Sequence, residues 1–220
     1  MERHFDTELD QLKQQLLKMG ALAEAMIDSA VTALVERNAS QLKQIYEQEK
    51  EVNNLQVSID EDCLRLTALY QPAAGDLRFL LGASKINTEL ERLGDQAINI
   101  CEVVNKLLQE PQLKPLIDIP KMVAIATDMV KDSLNAFVER NVEKARAVLM
   151  QDDQLDDLKD KIVAELTEFM AKDSGSVSRA IQLILVARSL ERIGDHATNI
   201  AEDVIFVVQG RDIRHNIHDI

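Results

Sequence analysis

Two stretches of the sequence, one hundred residues apart, are nearly the same: LERLGDQAINICEVV at residues 90–104 and LERIGDHATNIAEDV at residues 190–204. Ten of the fifteen positions are identical, and they include two glutamates, one aspartate and one asparagine. A helix needs polar residues for solubility, but many residue types would serve. Keeping the same four in both copies therefore indicates a function for them.

One face of each stretch is polar, because at 100° per residue the four shared polar residues fall within about 80° of one another. In the first stretch these residues are Glu91, Asp95, Asn99 and Glu102. In the second stretch they are Glu191, Asp195, Asn199 and Glu202. The opposite face of each stretch is apolar, so each is predicted to be an amphipathic helix that packs against the rest of the protein through this apolar face.

The polar faces are candidate metal sites. Acidic residues four apart on a helix repel each other by roughly 0.2–0.5 kcal/mol, and neither Glu91 nor Glu191 has a basic residue four positions on. Several hard oxygen donors on one face can coordinate a cation, which turns the repulsion into attraction. We therefore predict the eight residues named above as metal ligands, with a merely solvated acidic face as the alternative. Gly94 and Gly194 are expected to admit a closely approaching helix, ligand or ion cluster.

The rest of the chain extends this duplication. Residues 33–38 match residues 136–141, and residues 52–55 match residues 155–158, both at an offset of 103. Apolar residues recur at steps of three and four, which predicts six long helices at residues 6–36, 40–69, 74–109, 122–140, 142–171 and 176–209. The predicted fold is all-α, with two tandem, structurally similar three-helix bundles at residues 1–111 and 112–220.

The boundary between the two units is placed in a segment rich in proline, residues 110–120. Asp118 is expected to cap the fourth helix, with Pro120 in its first turn. The third helix begins near Ala74, and Asp76 is expected to act as an N-terminal cap or as a partner of the helix dipole.

Composition excludes several classes of function. The net charge of −13, without a basic cluster, argues against a nucleic-acid partner. No uninterrupted apolar stretch reaches the roughly 18 residues of a membrane span and no signal peptide is visible, so a cytoplasmic protein without direct membrane insertion is expected. Cys63 and Cys101 are expected in the core. The chain has no recognisable catalytic grouping and is predicted not to be an enzyme.

Other polar residues are given structural roles. His196 replaces Gln96 of the first copy and is expected at a polar boundary rather than on a metal. Arg92 and Arg192 flank the acidic faces and are expected to neutralise neighbouring carboxylates. His215 and His218 are expected in a solvated tail.

In combination, three motifs resemble the PhoU family, the accessory and regulatory proteins of bacterial high-affinity phosphate transport. They are QPAAGDLR at residues 71–78, LERLGD at residues 90–95 and LERIGDHATNIAE at residues 190–202. The resemblance implies two tandem three-helix bundles, often dimeric, with metal clusters on E/D-x-x-x-D motifs. Those motifs correspond here to Glu91 with Asp95 and to Glu191 with Asp195. The other four candidate ligands come from helical geometry alone.

The resemblance also implies a function. Such proteins negatively control the phosphate-starvation response and phosphate uptake, and they link the ATPase subunit of the phosphate ABC transporter to a sensor histidine kinase. From this resemblance we expect the chain to be a homodimeric, non-enzymatic regulator with bound divalent or transition metal ions such as iron, zinc or manganese. One alternative is a carboxylate-bridged metal-storage or di-metal oxidase bundle, but the chain lacks the Glu-x-x-His pairs of such sites. Another is a structural adaptor whose acidic faces bind only protein.

Overall fold

The computed structural model describes residues 4–213, so His215 and His218 lie outside the described part of the chain. All regular secondary structure in this range is helical. The helices are α1 (His4–Glu36), α2 (Leu42–Tyr70), α3 (Ala74–Leu107), α4 (Asp118–Glu139), α5 (Val142–Leu149), α6 (Asp152–Lys172) and α7 (Val177–Gln209), with short 3₁₀ turns at Ala39–Gln41 and Ser174–Ser176. Within residues 4–213, every helix is too short or too polar to serve as a membrane span.

The all-α fold of two repeated helical units is confirmed, with one difference in the fifth predicted helix. Residues 142–171 do not form one helix, because the chain tightens at Met150 and Gln151, where the Gln151 N–H donates to the carbonyl of Val148. Asp152 and Asp153 then begin α6, and acidic residues favour such a helix start. The apolar periodicity continues across the break, with buried residues at Ala145, Val148 and Leu155, so the pattern alone did not indicate it.

The turns at residues 37–38 and 140–141 confirm the repeat in detail. Arg37 and Arg140 both adopt the left-handed conformation, each with a φ of 53°. The following asparagine in each copy begins the next helical segment: the Oδ1 of Asn38 accepts from the Ser40 N–H, and that of Asn141 accepts from the Lys144 N–H. Side-chain capping of this kind satisfies backbone donors that a helix start leaves free.

The core is continuous through both units. The Phe79 ring of α3 stacks on the Phe137 ring of α4, with centroids 4.8 Å apart. Cys63 and Cys101 are buried, as predicted, and burial raises the pKa of Cys63 to about 12. These thiols therefore pack as small apolar groups.

The two motif helices, α3 and α7, make the most extensive helix–helix contact of the described chain. They run antiparallel, because Lys85 pairs with Asp203 whereas Glu89, one turn later, pairs with Asn199. Helices α1 and α4 also pack across the two units. This mutual orientation of the repeats was not predicted from the sequence.

The linker between α3 and α4 is held by two arginines, one from each unit. Arg37 donates to the carbonyls of Leu108 and Glu110, and Arg179 donates to the carbonyl of Pro111 at 3.2 Å.

Asp118 lies at the end of this linker, but the prediction that it is an N-cap is wrong. It is the first residue of α4, and its carboxylate pairs with Lys121 and Lys161, each at 2.8 Å. Hydrogen bonds from these two ammonium groups lower its pKa. The carboxylate is therefore turned to the lysines instead of the helix start.

Candidate functional site

The polar face of α7 meets a second acidic helix, α6. Gly194 permits this approach, because a Cβ at that position would lie only 2.5 Å from Cδ2 of Leu155 and 3.5 Å from Oδ1 of Asp152. The expectation that this glycine admits a close helix is thus confirmed. It brings together four carboxylates, which we call the second-repeat cluster: Asp152, Asp156, Glu191 and Asp195.

The second-repeat cluster is electrostatically unfavourable when all its carboxylates are charged. Burial, reinforced by Asp195 and Asp156, raises the pKa of Asp152 to about 6. Burial also raises the pKa of Glu191, with Asp195 adding to the effect, and that of Asp195. These directions are those expected where like charges share a partly buried site.

One lysine partly compensates this charge. The Nζ of Lys159 lies 3.0 Å from the Asp156 carboxylate and 3.7 Å from that of Glu191. It also contacts Asp160, at 3.2 Å, so its ammonium group sits at the edge of the second-repeat cluster.

The first repeat has a corresponding group, the first-repeat cluster, made of Glu49, Asn53, Glu91 and Asp95. Glu49 and Asn53 of α2 match Asp152 and Asp156 at the offset of 103, and the Asn53 amide donates to the Glu49 carboxylate at 3.0 Å. Burial raises the pKa of Glu91, and Asp95 and Glu49 add to the increase. A Cβ on Gly94 would lie 3.3 Å from Cγ1 of Val52, so α2 approaches here as α6 does in the second repeat.

The donor chemistry of both clusters fits a hard cation, although the side chains do not converge on one point. All side-chain donors are oxygens, the type preferred by magnesium, calcium and manganese. No three His, Cys, Asp or Glu residues between positions 4 and 213 lie closely enough together to hold a metal ion without side-chain movement. Burial is the main cause of the raised pKa values, and repulsion among the carboxylates adds to it. A cation would offset this repulsion.

The remaining candidate ligands lie elsewhere. The Asn199 amide donates to Oε2 of Glu89 at 3.1 Å, and Nδ1 of His196 lies 2.7 Å from the same oxygen. Asn99 and Glu102 line a separate cleft between α3 and α7, and Glu202 is half-buried. The structure therefore joins only Glu91, Asp95, Glu191 and Asp195 to the clusters, and ligand roles for the other four stay predictions.

Glu89 is a polar link between the repeats that sequence reasoning missed. Burial alone would raise its pKa, but hydrogen bonds from His196 and Asn199 outweigh burial and hold the pKa below its usual range. His196, with a side chain 13% exposed, thus lies at a polar boundary, as predicted.

The α2 and α6 members of the clusters were also missed. Their signal was present in the sequence, because Glu49 with Asn53 and Asp152 with Asp156 are both spaced by four residues and both recur at the offset of 103. What the sequence did not show was that α2 and α6 turn these residues towards the motif helices.

A family model described as the PhoU domain matches the chain twice, at residues 16–104 and 119–204. The chain belongs to the PhoU family. Each match contains one motif helix together with the helices that supply the rest of its cluster.

Curated relatives match over nearly the full length. The chain is 37% identical to a phosphate-specific transport system accessory protein PhoU homolog of Pseudomonas putida, over 98% of this chain and 84% of the relative. It is 33% identical to the phosphate-specific transport system accessory protein PhoU of Escherichia coli K12, over 96% of this chain and 88% of the relative.

Solved structures agree with the fold. The crystal structure of PhoU from Pseudomonas aeruginosa has a TM-score of 0.90 at 35% identity, covering 94% of this chain and all of that chain. The phosphate transport system regulatory protein PhoU from Streptococcus pneumoniae has a TM-score of 0.88 at 29% identity, covering 95% of this chain and 99% of that chain.

Proposed function

We propose that this chain is a non-enzymatic accessory protein of phosphate transport that negatively controls phosphate uptake and the phosphate-starvation response. The observation that carries this proposal is the double PhoU-domain match, supported by relatives named as accessory proteins of the phosphate-specific transport system. We further propose that the chain forms a cytoplasmic homodimer that links the ATPase subunit of the phosphate ABC transporter to a sensor histidine kinase.

Metal binding is the second part of the proposal. Asp152, Asp156, Glu191 and Asp195 would hold a divalent or transition metal ion in the second repeat, and Glu49, Glu91 and Asp95 would do so in the first. The ion supplies positive charge that offsets the repulsion among these carboxylates. Asp152 and Asp195 come from different helices, so shared coordination would also hold α6 against α7.

Deletion of the gene tests the regulatory role. In phosphate-rich medium, a reporter for a phosphate-starvation promoter should be derepressed in the deletion strain and repressed again when the wild-type gene is restored. A reporter that keeps its normal response to phosphate in the deletion strain would contradict the proposal.

Elemental analysis of protein purified without chelators tests the metal sites. Bound metal should fall when Glu91, Asp95, Glu191 and Asp195 are changed to the corresponding amides. A matched variant amidates four exposed acids of α2 and α6, Glu47, Glu61, Asp157 and Glu168, and should keep its metal. Equal metal content in both variants would eliminate the clusters as the binding sites.

The alternative of a di-metal oxidase or metal-storage bundle gains no support from the clusters. Such bundles use histidine as well as carboxylate ligands. The one histidine near these faces, among the described residues, is His196, and its Nδ1 is engaged by Glu89.

A further inference from the structure

Helices α3 and α7 carry the same motif at an offset of 100 and pack antiparallel, so an approximate two-fold axis relates them and each position on one helix has a counterpart on the other. The counterpart of the pair Glu89 and Asn199 is Ser189 with Asn99, and both of these residues line one cleft. We call it the outer cleft; its lining residues are Asn99, Glu102, Val103, Leu185, Arg188, Ser189 and Arg192.

In the half of the α3–α7 contact that contains Glu89, the protein itself supplies the anion, which is the Glu89 carboxylate. The Glu89 carboxylate accepts from the Asn199 amide, lies 2.7 Å from Nδ1 of His196 and lies 3.9 Å from the guanidinium of Arg92. Its side chain is 15% exposed, so this charge is satisfied by groups that converge on it inside the protein.

In the other half of the contact, residues equivalent to Asn199 and Arg92 are present, but the carboxylate is absent. Ser189 replaces Glu89, while Asn99 and Arg192 correspond to Asn199 and Arg92. Gln96 corresponds to His196, but it lines the neighbouring cleft beside Asp95 and Asp195 and is not part of the outer cleft. The shorter serine side chain leaves room where Glu89 extends in its own half.

The outer cleft also carries a second positive charge. Arg188 replaces the Thr88 of the first repeat and lies one helical turn from Arg192. Like charges at this spacing are unfavourable on a helix. Within residues 4–213, neither guanidinium makes a hydrogen bond or an ion pair. The carboxylate of Glu102 lines the outer cleft as well. Arg192 also lines the neighbouring cleft that contains Asp195, and its charge acts on that carboxylate, whereas Arg188 lines the outer cleft alone.

We propose that the outer cleft binds inorganic phosphate at the position that the Glu89 carboxylate occupies in the other half. Paired arginines suit a tetrahedral oxyanion, because a guanidinium can donate two hydrogen bonds to two oxygens at once. The Ser189 hydroxyl and the Asn99 amide are further donors. This inference rests on the cleft alone, and it would survive if the regulatory role proposed above proved wrong.

Phosphate binding is tested on the purified full-length protein by isothermal titration calorimetry. Inorganic phosphate is titrated at constant ionic strength in the presence of a chelator, so that phosphate bound through metal does not contribute. We expect saturable binding of one phosphate per chain, weakened at least tenfold in the double variant Arg188→Gln, Arg192→Gln. Arg92→Gln is the matched control, because Glu89 already fills its half, and it should change the affinity less than twofold.

Ser189→Glu supplies the decisive variant. It places a carboxylate at the position of Glu89, so it should abolish phosphate binding without lowering the melting temperature. The absence of saturable binding to the wild type would overturn the proposal, as would undiminished binding to a folded Ser189→Glu protein. Acetate is titrated in parallel, and equal affinity for acetate would mark a carboxylate site and also overturn it.

Discussion

At Asp152 the fold keeps a carboxylate where its negative charge is unfavourable. The side chain comes from the first turn of α6 and is held beside Asp195 because Gly194 has no Cβ. A carboxylate held in this way lowers stability when it is charged, a pattern typical of functional positions.

We expect Asp152→Asn to stabilise the protein at neutral pH. In the folded state the pKa of Asp152 is about 6, above its ordinary value of 3.8, so the unfavourable charge is absent below about pH 3.8, grows up to about pH 6 and is complete above it. With a chelator present, the variant should melt higher than the wild type at pH 7.5, and the difference should vanish near pH 4. Asp157→Asn, at an exposed position of α6, is the control and should show no such pH-dependent gain.

The same variant reports on the metal. Added Mn²⁺ should raise the melting temperature of the wild type more than that of Asp152→Asn, because the variant offers one charged ligand fewer. Equal shifts in the two proteins would show that Asp152 does not contribute to cation binding.

Glu89 has the opposite effect on stability. Glu89→Ala should lower the free energy of unfolding at pH 7 by roughly 1–3 kcal/mol, because two partly buried hydrogen-bond donors, His196 and Asn199, lose a charged acceptor. Since the pKa of Glu89 is lowered by folding, its contribution is present above pH 4.5 and is lost as the pH falls through the folded-state pKa. Urea unfolding at pH 7 and in acid measures this, and a loss that is the same at both pH values would contradict it.

The glycines of the two motif helices set how closely the neighbouring helices approach. Gly94 lies against Val52 of α2, and Gly194 lies against Leu155 of α6. The contact is tighter in the second repeat, which is also where the neighbouring helix carries two aspartates of the cluster.

Alanine substitutions should separate the two repeats. Alanine is favoured over glycine inside a helix by about 1 kcal/mol. Gly94→Ala should therefore be close to neutral, because Val52 needs to move only a few tenths of an ångström. Gly194→Ala should destabilise by roughly 1–3 kcal/mol, because its Cβ would overlap the fully buried Leu155. Chemical denaturation measures both, and Leu155→Val should partly rescue Gly194→Ala if the overlap is the cause.

The sequence predicted the individual helices better than it predicted the contacts between them. The periodic burial of α1, α3 and α7 follows from one apolar stripe per helix, which is a local property of the chain. The break at Met150 was missed because it leaves that stripe in register. Glu49 and Asp152 were missed for a different reason: their roles depend on which face of a neighbouring helix meets the motif, and that is decided by tertiary packing.

The two repeats share one core. Helix α3 packs on α7 and α1 packs on α4, so apolar residues such as Phe79 and Phe137 are buried by contacts across the two units. The division at residues 111 and 112, a prediction from the repeat, is therefore a boundary of sequence units that bury each other's surfaces.

Separated halves should not be independently stable. Expressed alone, residues 1–111 and 112–220 would each expose the apolar surface that normally lies in the shared core, and each is expected to aggregate or self-associate. Expressed together, they should form a 1:1 complex that melts cooperatively, as measured by size-exclusion chromatography and circular dichroism. A half that is monomeric and unfolds cooperatively by itself would contradict this expectation.

Lys159 gives the second repeat a counter-ion of its own. At the matching position the first repeat has Gln56, a neutral residue whose main-chain carbonyl accepts from Asn87. A cation entering the second-repeat cluster must compete with an ammonium group that is covalently attached and cannot diffuse away, whereas a cation entering the first-repeat cluster meets a neutral amide at that position. The two proposed metal sites are therefore expected to fill at different cation concentrations.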